Sequence, residues 1–193
     1  LSMPIDRKNS KTDTIKDLLI FNNSDWQKNH LKNFIYNYKR TPYYDEIIPL
    51  LKEYYSKDFS TFNQSVSEML NIIVDYLEID VDLKWASDYN FNSSNDELLL
   101  EITDFFNGEV YISGANGRNY IDEKKFNKKS IEVKYHDYNH PVYKQIWGEF
   151  KEYMTIWDIM FYFGKNTKDK ICVGKLNSKE GINNKDKKQD NNR

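Results

Sequence analysis

The chain is poor in sulfur chemistry: Cys172 is the only cysteine among 193 residues. One thiol cannot close an internal disulfide, and without a Cys-x-x-Cys pair the common structural zinc site is missing too. A reducing compartment follows as the default. Glycine and proline are scarce, at seven and four residues, which excludes collagen-like and Pro/Gly-rich architectures. Charge of one sign is also lacking, because 28 Lys and Arg against 30 Asp and Glu leave a net −2. Non-specific nucleic-acid binding needs a basic field that releases counterions, and none exists at chain level. No apolar run approaches the ~20 residues of a membrane span, and no stretch reads as a secretory signal.

Aromatic residues are abundant, with 15 Tyr and 11 Phe in a 16% aromatic share. A buried Tyr needs a partner for its hydroxyl, so much of this ring area is expected along half-exposed cleft walls. The length suits one domain with a substantial core. Residues 1–5 read as a short strand, followed by a polar loop and an apolar stretch over 15–21. A helix begins at Ser24 or Asp25, with Trp26, His30 and Phe34 on one face. A second is expected over 43–55, shortened or kinked by Pro49. A third, capped by Ser60, spans 61–78.

The periodicity then changes. Residues 81–86 alternate as a strand, a helix over 96–107 ends at Gly108, and strands follow at 109–113 and 131–135 around a short helix at 122–129. Connections too long for hairpins predict parallel strands with crossovers. The expected fold is α/β: a parallel-sheet, Rossmann-like core with an N-terminal group of helices. A last helix over 155–163 closes a domain of residues 1–164. The polar stretch 165–193 reads as a disordered tail.

Two loops carry candidate chemistry. Ser113-Gly114-Ala115-Asn116-Gly117-Arg118-Asn119-Tyr120 directly follows a predicted strand, where open parallel sheets bind ligands. Gly114 and Gly117 would let backbone amides approach an anion, and Arg118 would fork onto it. The spacing matches no nucleotide fingerprint, and a simple turn needing glycine explains it equally. His136-Asp137-Tyr138-Asn139-His140-Pro141-Val142-Tyr143 follows the next strand and offers acid–base capacity near neutral pH. As metal ligands, His136 and His140 lack a carboxylate at a familiar spacing, so no metal or cofactor is expected. Asp158, inside the apolar run 156–163, must face water or be paired. It either orients His140, binds a substrate hydroxyl, or complements a helix N-terminus. His30 sits at the edge of a helical face, where a satisfied core role competes with a ligand role.

Four segments, in order, resemble the WbqC-like family of bacteria. Asp25-Trp26-Gln27-Lys28-Asn29-His30-Leu31 with Pro42-Tyr43-Tyr44 is similar to its Trp-x-Lys-x-His helix and downstream Pro-Tyr. Residues Tyr111 to Tyr120 resemble its Tyr-x-Ser-Gly-x-x-Gly-x-x-Tyr turn, and His140-Pro141-Val142-Tyr143-Lys144-Gln145 its His-Pro-x-Tyr-x-Gln segment. Thr155-Ile156-Trp157-Asp158 with Gly164 resembles its closing Ser-x-x-Asp…Gly helix. The resemblance covers about residues 1–165. The family's opening Gln-Pro-x-Tyr-x-Pro strand has no counterpart, so an N-terminal portion is expected to precede Leu1. Where the family tends to carry Asn in the closing helix, this chain has Tyr162.

The resemblance implies a cytoplasmic bacterial protein of O-antigen or other surface-polysaccharide synthesis. Its activity would be that of a transferase placing an acyl or aminoacyl group on a nucleotide- or lipid-linked amino sugar. His140, Asp137 and Asp158 are then the candidate catalytic residues. Ser113, Gly114, Gly117, Arg118, Tyr120, Tyr143 and His30 are the candidate substrate-binding residues. The expected partners are an activated sugar or nucleotide sugar and other glycan-assembly enzymes, with no nucleic acid. The competing expectation is a non-catalytic sugar- or protein-binding module built on Tyr43, Tyr44, Tyr120 and Tyr143.

Overall fold

The computed structural model describes residues 1–8, 10, 14–21, 24–172 and the backbone of 175–177. These divide into two compact units: residues 1–82 with 141–172, and residues 83–140 with the strand at 175–177. The first unit is helical. It contains α1 (Trp26–Tyr38), α2 (Tyr44–Ser56) and α3 (Phe62–Tyr76). The second contributes α4 (Asn95–Phe105), β1 (Val110–Gly114), α5 (Glu123–Lys128) and β2 (Glu132–Asp137). The chain then returns to the first unit for α6 (Ile156–Phe163) and α7 (Thr167–Ile171), and ends its described part in β3 (Lys175–Asn177) of the second.

In the helical unit α2 is the central element. Ile47, Leu51 and Tyr54 are sealed from solvent and pack with Phe34 of α1 and Met160 and Phe161 of α6. Pro49 lies exposed on α2 and does not end it. The cap of α3 is Thr61 rather than the expected Ser60. Its side chain accepts from Gln64 N while the Gln64 side chain accepts from Thr61 N, a reciprocal capping box. The fully buried Tyr54 hydroxyl finds Ser65 Oγ. At the other end of α6, Gly164 adopts φ +54° against the Tyr43 ring, where a Cβ would lie 2.5 Å from Cδ1. Only glycine fits both demands.

The second unit is a small mixed sheet in the order β1-β2-β3. β1 and β2 are parallel, with Val110 opposite Glu132 and Gly114 opposite His136. β3 runs antiparallel to β2. This is α/β, and two parallel strands do not amount to the expected Rossmann-like core. Residues 81–86 form no strand: Val81 is 50% exposed, and the segment passes into a short 3₁₀ turn over Ala86–Asp88. Alternating apolar residues gave the period of a strand, but a strand also needs a paired neighbour. The core is formed by Ile121, Phe126, Ile131, Val133 and Tyr135.

Scarcity of glycine shapes the helix ends. α3, α4 and α5 all finish with a left-handed residue that is not glycine: Glu78 (φ 51°), Asn107 (φ 53°) and Ser130 (φ 60°). In each case the next amide reaches back five residues, as in Ile79 N to Val74 O, Gly108 N to Thr103 O and Ile131 N to Phe126 O. These are Schellman closures. Gly108 therefore follows the left-handed position that it was expected to fill. The expected disorder after residue 164 is corrected in its first part by a 3₁₀ turn (Gly164–Asn166), α7 and β3. Thr167 anchors that part as a fully buried residue. Residues 178–193 lie outside the described residues.

Candidate functional site

The glycine turn and residues 136–140 of the second loop lie in the second unit, while residues 141–143 belong to the first. Residues Ala115–Asn119 form a 3₁₀ turn. Gly117 is needed there for space, since a Cβ would lie 2.0 Å from Ser113 Oγ and 2.9 Å from Ile121 Cδ1. Gly114 meets nothing of the kind. Arg118 forks onto Asp137 with Nη1–Oδ1 at 2.9 Å and Nη2–Oδ2 at 3.1 Å, and its guanidinium lies 4.6 Å from the centroid of the Tyr135 ring. Tyr135 in turn donates to Glu123 at 2.8 Å. Burial first, then this carboxylate, hold the Tyr135 hydroxyl well above its usual pKa. Arg118 Nε remains buried with no acceptor. Tyr120 closes the turn and is largely exposed. His136, Tyr138 and His140 follow one another as ring contacts of 5.8 Å each.

The helical unit holds the most developed cavity among the described residues. A cavity of about 480 Å³ is bounded by Asn33, Phe34, Asn37 and Tyr38 of α1, by Gln145, Trp147, Lys151 and Met154, and by Thr155, Asp158 and Tyr162 on or next to α6. Asp158 is buried there, 4% exposed. Three neutral groups donate to its carboxylate: Tyr38 Oη to Oδ1 at 2.7 Å, Tyr143 Oη to Oδ2 at 2.6 Å, and Gln145 Nε2 to Oδ2 at 3.0 Å. A carboxylate offers about four acceptor positions. Among the described residues three donors occupy that of Asp158, one on Oδ1 and two on Oδ2. Burial, reinforced by Asp158, raises the pKa of both Tyr38 and Tyr143, which keeps them as donors near neutral pH.

The surroundings hold this arrangement still. Gln145 also donates from Nε2 to Lys151 O and accepts from Lys151 N, clamping the loop between them. Ile146 N donates to Tyr162 Oη at 2.7 Å, so the Tyr162 hydroxyl proton is directed elsewhere. Its pKa is raised too, by burial first. Trp147 donates Nε1 to Asn37 O at 3.0 Å. Asp158, Tyr38, Tyr162 and Gln145 thus present one acceptor and one donor toward a cavity with aromatic walls. Such an acceptor and donor have the chemistry to pair with an amine or a hydroxyl.

Of the expected residues, Asp158 and Tyr143 come together here, while Arg118 and Asp137 pair in the other unit. His30 stands elsewhere on α1, edge-on to Trp26 and Tyr55, with Nε2 3.1 Å from Ser2 O. Sequence reasoning missed Tyr38, Gln145, Trp147 and Tyr162 as site residues. One signal existed for Asn33 and Asn37: two amide side chains one helical turn apart, beside the apolar face of α1. Nothing local marked Trp147, whose placement depends on the irregular segment 141–155. Among the described residues, no three His, Cys, Asp or Glu gather as metal ligands, and no helix is long and apolar enough to cross a membrane.

Comparison with known proteins gives the following. The WbqC-like protein family matches over residues 1–170, across both units. The chain is 31% identical over 172 residues to the uncharacterized protein Rv1507c of Mycobacterium tuberculosis (strain ATCC 25618 / H37Rv). That alignment covers 88% of this chain and 74% of the relative. No solved structure matches.

Proposed function

The chain belongs to the WbqC-like protein family, and from that premise we propose that it serves bacterial surface-polysaccharide (O-antigen-type) synthesis as a transferase. It would place an acyl or aminoacyl group on a nucleotide- or lipid-linked amino sugar. The observation that carries this reading is the buried Asp158 carboxyl group, held by neutral donors, in the lining of a cavity with aromatic walls. Flat rings suit the apolar faces of a sugar. A buried carboxylate with no cationic partner is costly unless a ligand or a proton exchange gives it a role. Asp158 would hold the amine or hydroxyl to be modified, and Tyr162 would donate to a neighbouring oxygen. Taken by itself, the second unit holds our candidates for a phosphate, Gly114, Gly117 and Arg118, and for a base, His140 with Asp137. Arg118 would have to exchange Asp137 for that phosphate.

A second reading, a sugar-binding module without chemistry, is favoured by one observation. The polar groups around Asp158 are protonated tyrosines and an amide, which recognise well but are poor bases.

Thermal-shift screening against nucleotide sugars and free amino sugars tests the site, since a ligand that binds only the folded state raises its stability by mass action. Stabilisation by an amino sugar or its nucleotide, lost in Asp158→Asn, is the expected result. Stabilisation that survives Asp158→Asn would move the site elsewhere. Turnover by the same protein, abolished in His140→Ala, separates the transferase from the binding module.

A further inference from the structure

This inference rests on the reading of the Asp158 cavity as a sugar site. Two kinds of polar group line the cavity: Asp158, buried and held by three neutral donors, and an exposed cation, Lys151. Trp147, 50% exposed, also lines it, and Arg40, which is not itself a lining residue, places its guanidinium over that ring, 5.2 Å from the centroid. Among the described residues neither Lys151 nor Arg40 has a carboxylate partner. Arg118 shows the contrast, because its N–H fork is filled by Asp137. A guanidinium resting its face on an indole keeps its N–H edges available, in the geometry that suits phosphate oxygens. A cavity of about 480 Å³ is in the range that encloses a whole small ligand, so a single sugar ring leaves part of it unfilled.

We propose that the mouth of this cavity binds the phosphoryl group that activates the sugar. Lys151 and Arg40 hold its oxygens, while Asp158 and the Tyr162 hydroxyl hold the sugar's amine or hydroxyls. The ligand is bipolar, matching a buried acid and exposed bases. The phosphoryl group could belong to a nucleotide or to a lipid carrier, and the chemistry at the mouth is the same.

Calorimetric titration of the full chain with glucosamine, glucosamine 1-phosphate and inorganic pyrophosphate tests this. The 1-phosphate should bind about tenfold tighter than the free sugar or better, and the difference should shrink as salt is raised. The Lys151→Ala/Arg40→Ala double variant should abolish that difference. Both positions are on the surface, and circular dichroism checks that the variant is folded. Equal affinity for sugar and sugar phosphate, or a preference that survives the double variant, overturns the proposal. If pyrophosphate binds and the double variant loses it while no sugar binds, the mouth stands and the sugar reading falls. If no probe binds, both fall. A further gain from UDP-glucosamine identifies a nucleotide as the source; a gain from a polyprenyl-linked sugar phosphate in micelles identifies a lipid.

Discussion

Asp158 in the helical unit and Asp137 in the sheet unit are both held by hydrogen bonds on both oxygens, yet they are opposite devices. Asp137, with its side chain 34% exposed, is neutralised by a guanidinium whose fork matches it bond for bond. Asp158 is buried and has two phenols and an amide instead of a cation. A closed ion pair must first exchange its partner before it can take a ligand. A buried carboxyl group held by neutral donors has no cation to displace, and Asp158 lines a cavity. The comparison separates a network already closed by an ion pair from one held by neutral donors.

The largest effect expected from breaking either network is at Asp158. Asp158→Ala strands two phenols and an amide in a buried place and should cost about 3–5 kcal/mol in urea unfolding. Arg118→Ala removes a partly exposed pair and should cost about 1–2 kcal/mol. A larger loss at Arg118 than at Asp158 would reverse the ranking of the two networks. Between the two lies Gly117→Ala, at about 2 kcal/mol from the clash with Ser113 and Ile121. Ser113→Gly in the same chain should restore most of that loss. If it does not, the glycine turn has some other reason for its glycine.

How far these networks were legible depended on sequence distance. The helices over 26–38, 44–56 and 62–76 follow from apolar spacing within a single segment, and their ends were readable to within about two residues. Asp158 stood out because a carboxylate in an apolar run needs an explanation, and that much was local. Its partners were not. Tyr38 lies 120 residues away, and Gln145 reaches it through a loop of no regular period. The glycine turn was visible as a turn, but its spacing could not tell an anion cradle from a close contact with Ser113. The strand expected at 81–86 shows the same gap, since a period of two is a local property and pairing is not.

A smaller effect is expected where glycine is scarce. Ser130→Gly relieves a left-handed serine at the end of α5 and should stabilise the sheet unit by about 0.5–1 kcal/mol. Asn107→Gly should gain less, because asparagine tolerates that conformation. Glu78→Gly gains least, since it also removes the Glu78–Lys165 ion pair of the helical unit. Thermal unfolding that ranks the three in this order would support the closures as drawn. Equal gains would mean that side-chain tolerance of positive φ does not govern them.

The smallest effect concerns the second titratable group held by neutral partners in the helical unit, His30. Burial lowers its pKa below the ordinary 6.5, and this outweighs its contact with Ser2 O, which acts the other way. The unfolded chain therefore takes up a proton at a higher pH than the folded chain does. Above pH 6.5 both states are neutral at this position and His30 adds no pH dependence. As pH falls through the lowered folded value the unfolded state gains, and stability declines before levelling off. His30→Gln should flatten that decline in urea midpoints measured from pH 7.5 to 5. A decline of unchanged slope would assign it to other groups. A stability that rises on acidification in the parent chain, and not in the variant, would mean that His30 is held as a cation, making it a second charged site in this unit beside Asp158.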